Sequence, residues 1–447
     1  MNTRASFDWR WIAAAAVAVM LAQTATALAA PPRLSRDASR PSVAATYGSS
    51  NFGEWRTDWL GLPTFRYTTD PDRDARAAQP ELKGNTDAWH QLGNDHIVAT
   101  AHNRGYVQFW SQDRLYQWLN RYEPDRQHYA GGYGYLRVGD GRTISTFYSD
   151  RPEGSTTERD YGAGYFRKRT ASDPVDIEEH VYSPFGDDPV LLHDVKVTNT
   201  SSAPVEASWF EYWDVNPLNQ FRKNHRGLGL PAWDEGSKTL SVDQLPEGDD
   251  TRPLTIFASA LQGPVADWET DALRFFGTGD RAHPAAVEAG KLGGGIAAPV
   301  PTGVPGKTLF AFRAPLSLAP GESVTLRYAY GAAHREQVGE LAERWRAAGD
   351  PLARSQEAWR DWLPQTRFGA DHRWLARELQ WDAYMLRSGT TYEEACGHHI
   401  LSQGGYYQYE AGIQAAYRDP LQHVLPLIWA DPELTRETIR YLSLIHI

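Results

Sequence analysis

Short runs in which apolar and polar residues alternate fill the chain from about Tyr47 to Ala332, broken by Gly, Pro, Asn and Asp. That pattern predicts strands joined by tight turns. Two hairpins are expected. In the first, Val195 and Val197 alternate with Lys196 and Thr198, Asn199 to Pro204 turns the chain, and Val205, Ala207, Trp209, Phe210, Tyr212 and Trp213 carry the return strand. Apolar on both faces, such a strand belongs inside a stack of sheets. In the second, Leu309, Phe310 and Phe312 lead into a Pro320-Gly321 turn, and Val324, Leu326, Tyr328 and Tyr330 follow at period two.

The period then changes. Val338, Leu341 and Trp345 fit one face of a helix, and a second helix follows Gly349-Asp350-Pro351 with Leu352, Trp359 and Trp362. Arg373 to Arg387 reads as a third, with Trp374, Leu375, Leu379 and Leu386 as apolar contacts. At Asp419-Pro420 an N-cap and a first-turn proline open another helix, with Leu421, Val424, Leu425 and Ile428 on one stripe. Asp431-Pro432 repeats that start. An all-β region followed by helices predicts two architectures in series.

Composition narrows the class. At 447 residues the chain exceeds one usual core, so at least two domains are expected. Arg4 and Arg10 precede an apolar run from Trp11 to Ala22, and Ala27 and Ala29 supply small residues before Pro31. This is the layout of a signal peptide over 1–29, and the run is short for a bilayer, so a secreted or periplasmic protein is expected. Cys396 is the single cysteine and excludes an internal disulfide framework. A net charge of -11 argues against nucleic acid or an anionic membrane as partner. The chain carries 17 Trp, 22 Tyr and 15 Phe. Aromatic faces pack on the C–H faces of sugar rings, although cores use them too, so the excess favours saccharides only modestly.

Several segments resemble a known family. Leu92-Gly93-Asn94-Asp95-His96, Arg104-Gly105-Tyr106, Phe109-Trp110 and Gly131-Gly132-Tyr133-Gly134-Tyr135-Leu136-Arg137 resemble the N-terminal supersandwich domain of glycoside hydrolase family 94, which includes the cellobiose and chitobiose phosphorylases. Glu179 to Tyr182, Asp188-Pro189-Val190 and Val195 to Asn199 resemble a later part of the same domain. Gly404-Gly405-Tyr406-Tyr407-Gln408 and Arg418-Asp419-Pro420-Leu421-Gln422 look like the first active-site segment of the family's (α/α)6 barrel. The resemblance implies a β-supersandwich over 47–332, a helical linker over 333–367, and the start of an incomplete barrel over 368–441. It also implies that the proton-donating aspartate lies downstream of the Arg-Asp segment, with no counterpart here, so these residues alone are expected to be inactive. The relatives usually continue Gln-Asp where this chain has Gln422-His423. Leu442 to Ile447 reads as a non-native tail of the kind a transposon-end adapter encodes, which would end the native residues near Tyr441.

Cleaving a glycosidic bond takes a carboxylic acid for the leaving oxygen and a nucleophile on the far side of the sugar. Arg418 and Asp419 suit the gripping of adjacent sugar hydroxyls, and Gln422, one turn on, reaches the same ligand. The bland alternative makes Asp419 a helix cap and Arg418 its neighbour's ion partner. Tyr406 and Tyr407, with Tyr409, could wall a saccharide subsite or pack in a core. Glu393, Glu394 and Glu410 are candidate carboxylates for activating water. His398 and His399 are adjacent, point apart, and lack a spaced partner for a metal. The expected function is inverting cleavage of β-glucosides or short β-glucans, by hydrolysis or phosphorolysis, with no cofactor. The alternative is a non-catalytic glycan-binding protein. Expected partners are an oligo- or polysaccharide, inorganic phosphate if the reaction is phosphorolytic, and a second copy of the chain if it dimerises.

Overall fold

In the computed structural model the described residues are 49–50, 52–68, 70, 88–114, 116–248, 250–369, 372–402 and 418–444. The strand-forming runs assemble into two eleven-stranded sheets whose neighbouring strands run antiparallel. The first sheet includes, in spatial order, Pro63–Tyr67, Thr156–Gly162, Tyr165–Ser172, Val175–Tyr182, Val190–Asn199, Ser323–Ala333 and Thr255–Gln262. The second includes Val107–Ser111, Gly131–Val138, Val205–Val215, Thr308–Leu318 and Asp267–Asp271. The main core lies between the two sheets, where Val195, Val197, Trp209, Trp213, Phe310, Phe312 and Leu326 are buried together. The result is a large antiparallel sandwich followed by a few helices.

Both expected hairpins are corrected by this topology. Val190–Asn199 lies in the first sheet and Val205–Val215 in the second, so the turn between them crosses from sheet to sheet. Thr308–Leu318 and Ser323–Ala333 are divided in the same way. The two crossings stack, because Val190–Asn199 pairs with Ser323–Ala333 while Val205–Val215 pairs with Thr308–Leu318. Asn199 ties them together. Its backbone N–H donates to Glu322 O (2.9 Å), its carbonyl accepts from Gly321 N (3.0 Å), and its Nδ2 donates to Ala203 O and Leu318 O.

Crossing explains why these strands are apolar on both faces. One face meets the opposite sheet; the other is covered from outside. Leu192 and Val190 face outward beneath the helix Arg335–Arg346, which buries Val338, Leu341 and Ala342 over them. Phe210 and Tyr212 face outward under Phe275, Phe276 and Val287 of two short helices, Ala272–Phe276 and Ala285–Glu288. Trp110, Trp118, Trp209, Trp213 and Trp359 are all fully buried.

The glycine-rich stretch has a packing explanation. Gly131–Val138 pairs with Val205–Val215, and the register shifts between Tyr212 and Trp213, leaving Gly132 as the extra residue of a bulge at φ 71°. Gly131 and Gly134 lie under the indoles of Trp213 and Trp209, leaving no room for a side chain. At Gly134 a methyl would also meet Phe210 O at 2.5 Å. Gly134→Ala should therefore destabilise the protein by about 1–3 kcal/mol, since neither a backbone oxygen nor a packed indole can yield cheaply. A thermal melt checks this, and an unchanged midpoint would contradict it.

The helices rest on the sandwich within one compact unit, Tyr47–Ile447. Pro351–Trp362 starts at Asp350, whose carboxylate accepts from Ala353 N at 3.0 Å, and it buries Trp359 among Leu62, Ala163 and Tyr384. Arg373–Arg387 spans the expected residues but docks differently. Leu379 is exposed, while Tyr384 donates to Gln91 O (2.6 Å) and Trp381 stacks on His90. Of the expected contacts Trp374, Leu375 and Leu386 are half-buried and only Leu379 is exposed, while Tyr384 and Trp381 bring the helix against the strand Trp89–Gly93. Thr390–Glu393 and His398–Leu401 then form a small hairpin that the sequence pattern did not predict.

Candidate functional site

The Arg-Asp segment opens the helix Arg418–Val424. The described part of the helix starts at Arg418, which is already helical, so Asp419 lies within the helix and is not its cap. Its carboxylate accepts from Arg418 Nε at 3.1 Å. The Arg418 side chain is 80% exposed and that of Asp419 is 20% exposed. A pair of neighbours in contact with water contributes at most about 1 kcal/mol to stability. Gln422 is exposed one turn further on. The three residues thus come together on one short helix. Tyr406, Tyr407, Tyr409 and Glu410 lie outside the described residues.

This helix is fixed from below. His423 Nδ1 lies 2.9 Å from Ser402 O, and Val424 and Leu427 bury against Leu401 and Leu434. Of the expected stripe of Leu421, Val424, Leu425 and Ile428, Val424 is buried and Leu425 half-buried, whereas Leu421 and Ile428 are exposed. Pro426 stops the α-helix at Val424, and a tighter 3-10 turn over Leu425–Ile428 rotates Leu427 inward. The Asp431 start holds as expected. Its carboxylate accepts from Leu434 N at 3.1 Å and caps Pro432–Leu444. Leu442 is buried in that helix beside Ile400 and Tyr441.

The other candidate carboxylates are engaged elsewhere. Glu394 lies 2.8 Å from His334 Nε2 and 3.4 Å from Arg114 NH1. Glu393 sits beside the phenols of Tyr116 and Tyr441, and burial first, then Glu393, pushes Tyr116 up to about 12.

Strand alternation turns His398 and His399 to opposite faces, as expected, and gives His399 a structural task. A chain of contacts runs from Asp113 through His96, Asp187 and His399 to Glu437, at 2.8, 3.0, 2.9 and 2.9 Å. It joins the sandwich to the small hairpin and to the last helix. Each imidazole has a carboxylate on both nitrogens, an arrangement that requires two N–H groups and hence a positive ring. Burial opposes the charge on His96, but Asp113 and then Asp187 overcome it and lift the ring to about 10. Burial likewise opposes the charge on His399, yet Asp187 and Glu437 raise it. Burial pushes Asp187 up, but the two histidines outweigh it and hold it well below its usual range. The folded pKa is raised for His96, so its contribution is complete below pH 6.5 and fades as pH rises through about 10. That of Asp187 is present above 3.8 and is lost as pH falls below it. Asp187→Asn should loosen the hairpin Thr390–Leu401 at neutral pH. Faster amide hydrogen exchange there, with the sandwich unaffected, is the expected result; unchanged protection would contradict it.

The LGNDH motif serves this same junction. Asp95 accepts from Arg387 NH2 at 3.0 Å, and Asn94 Nδ2 donates to Pro184 O and Asp188 O. The motif was visible in the sequence, but its partners lie some 90 or 290 residues away. Among the described residues, no group of three or more His, Cys, Asp or Glu could hold a metal ion. Among the same residues, no helix is long and apolar enough to cross a membrane.

Residues 78–348, more than half of the chain, match the model of the glycosyl hydrolase 94 supersandwich domain, and the chain belongs to that family. Among solved structures, it is similar to a protein from the human microbiome provisionally named a kojibiose phosphorylase. The likeness has a TM-score of 0.52 at 9% identity, over 87% of this chain and 49% of that one. The chain thus spans about half the length of that relative. A polysaccharide lyase is also similar, with a TM-score of 0.31 at 14% identity, over 56% of this chain and 32% of that one. No curated protein matches the sequence.

Proposed function

We propose that this chain acts in an exported enzyme that cleaves glycosidic bonds with inversion, in β-linked glucosides or short β-glucans. The observation that carries the reading is the family match over residues 78–348. A sugar grip on this helix is supported by Arg418 and Gln422, which stand exposed one turn apart, and by Asp419, which is bonded to Arg418. A guanidinium and a carboxylate side by side can donate to and accept from vicinal hydroxyls of a terminal ring.

On this reading the helices from Arg373 onward open an (α/α)6 barrel, with 47–332 as the sandwich and 333–367 as the linker. Support comes from apolar side chains that these helices leave in water. Trp429 is 91% exposed, and Leu379, Leu421, Ile428 and Ile439 are exposed as well. Apolar stripes of that kind fit a helical layer on which more helices pack. Export rests on the Arg4 to Ala29 pattern, outside the described residues.

The nucleophile is water or phosphate. Export favours water, since a sugar phosphate conserves bond energy only where metabolism can use it; the name of the microbiome structure favours phosphate. One experiment tests both the function and this choice. A chain carrying the whole barrel is incubated with cellobiose and with laminaribiose, with and without phosphate, and the first-formed anomer is followed by NMR. Cleavage to the α-anomer is expected, as free glucose for a hydrolase or as glucose 1-phosphate for a phosphorylase. No cleavage under either condition, or a β-anomer, would overturn the proposal.

A further inference from the structure

We propose that the outer face of the first sheet carries a second saccharide site, apart from the Arg418 helix, that takes a neutral hexose unit in the cleft beside Trp59. The cleft encloses about 540 Å³, within the range of about 300–1,000 Å³ usual for small-molecule sites.

The Trp59 loop is built to hold an indole outward. Asp58 Oδ1 accepts from Leu60 N and Leu62 N, both at 2.9 Å, and Asp58 N donates to Leu62 O at 2.9 Å. Leu62 anchors the loop by burying itself against Trp359 and Ala163. In so fixed a turn Trp59 nevertheless remains 53% exposed. A ring held outward in a fixed turn is preorganised, so a ligand meets it without the cost of ordering the loop. Its ring lies 5.2 Å from that of Tyr165 and meets His180 edge-on at 6.2 Å. Tyr165 is buried and backs the indole, so Trp59, with the His180 ring beside it, offers the apolar wall for the C–H face of a sugar.

The remaining lining offers hydrogen bonds at the rim. Arg66 and Arg167 both grip Asp160, at 2.6 to 2.7 Å, and Arg167 also grips Glu178 at 2.6 Å. Such guanidinium–carboxylate pairs are preset to exchange hydrogen bonds with two adjacent hydroxyls. The ring of the half-buried His180 has no hydrogen-bond partner among the described residues, which leaves its nitrogens for a ligand. Arg56, Arg66 and Arg167 face Asp58, Asp160, Glu178 and Asp350 around the cleft. Acidic groups outnumber basic ones, so uronates and phosphates are disfavoured and a neutral sugar is favoured. The choice of a saccharide as ligand rests on the glycoside-directed function proposed above.

The test is calorimetry with cellobiose on the full chain carrying Arg418→Ala, which removes the first grip. Binding should persist in that chain, weaken about tenfold or more when Trp59→Ala is added, and weaken several-fold when His180→Ala is added instead. Digalacturonate should bind far more weakly than cellobiose. Circular dichroism confirms that each variant is folded, and His180→Ala serves if the Trp59 variant is not. Cellobiose binding that is absent from the Arg418→Ala chain, or indifferent to both added substitutions, would overturn the second site. Turnover by the whole-barrel enzyme is read separately, so the proposed function can stand while this site falls. Digalacturonate binding as tight as that of cellobiose would overturn the neutral-sugar assignment.

Discussion

Glu179→Ala should destabilise the protein by about 3–5 kcal/mol, enough to leave much of it unfolded or insoluble. Between the two sheets lies a charged quartet of Lys168, Glu179, His193 and Glu211, with Glu179, His193 and Glu211 wholly buried. Glu179 Oε1 takes Lys168 Nζ at 3.0 Å, Thr146 Oγ1 at 3.0 Å and His193 Nε2 at 3.2 Å. Glu211 takes His193 Nδ1 at 2.7 Å and the indole N–H groups of Trp209 and Trp213 at 3.0 and 2.7 Å. Burial pushes Glu179 up, but Lys168 and His193 outweigh it and hold the carboxyl below its usual range. Removing it strands an ammonium that keeps only Gly105 O and Gly132 O. Replacing Lys168 and Glu179 together by Met and Leu should recover much of the loss, because an apolar pair leaves no stranded charge. Burial opposes the charge on His193, but Glu211 and then Glu179 raise the ring to about 9. Its stabilising effect is therefore complete below pH 6.5 and fades as pH rises through about 9. Chemical denaturation of the single and double variants checks the energies, and a single variant as stable as the parent would contradict them.

Arg418→Ala, in a chain carrying the whole barrel, should lower kcat/KM about a hundredfold while leaving the melting temperature unchanged. Loss of a charge-assisted hydrogen bond to a bound sugar costs on the order of 2–3 kcal/mol in transition-state binding. The fold should not notice, because the side chain is 80% exposed and its protein partner is its own neighbour. Steady-state kinetics on cellobiose or laminaribiose read the effect. A drop in melting temperature that accounts for the lost activity would assign Arg418 to structure instead.

Period-two runs and helical spacing placed the strands and helices of this chain well, down to Arg373–Arg387 and the Asp350 and Asp431 starts. They did not show which sheet a strand joins. A turn such as Asn199 to Pro204 looks alike whether it closes a hairpin or crosses a sandwich, and the choice is made by pairing with strands over a hundred residues away. Two-faced apolar strands were the one local sign of stacking. The buried quartet left no sign at all, since Lys168 and Glu179 sit among alternating charged residues whose outward members, Arg167 and Glu178, pair with each other on the outer face of the sheet. For the candidate site, the sequence named Arg418, Asp419 and Gln422, and the structure brings them together on one helix. Glu394 and His399 could not be assigned beforehand, because their partners His334, Asp187 and Glu437 meet them only through tertiary packing.

Asp419→Asn tests the sugar grip most directly, with kcat/KM and melting temperature measured on the same whole-barrel preparation. Asn has the shape of Asp and keeps an oxygen acceptor beside Arg418, so the substitution removes the charge and costs the half-exposed first turn at most about 1 kcal/mol. A gripping Asp419 predicts a fall in kcat/KM of about tenfold or more with an unchanged melting temperature. Unchanged kinetics together with an unchanged melting temperature would contradict it and leave Asp419 a first-turn residue with no part in binding sugar.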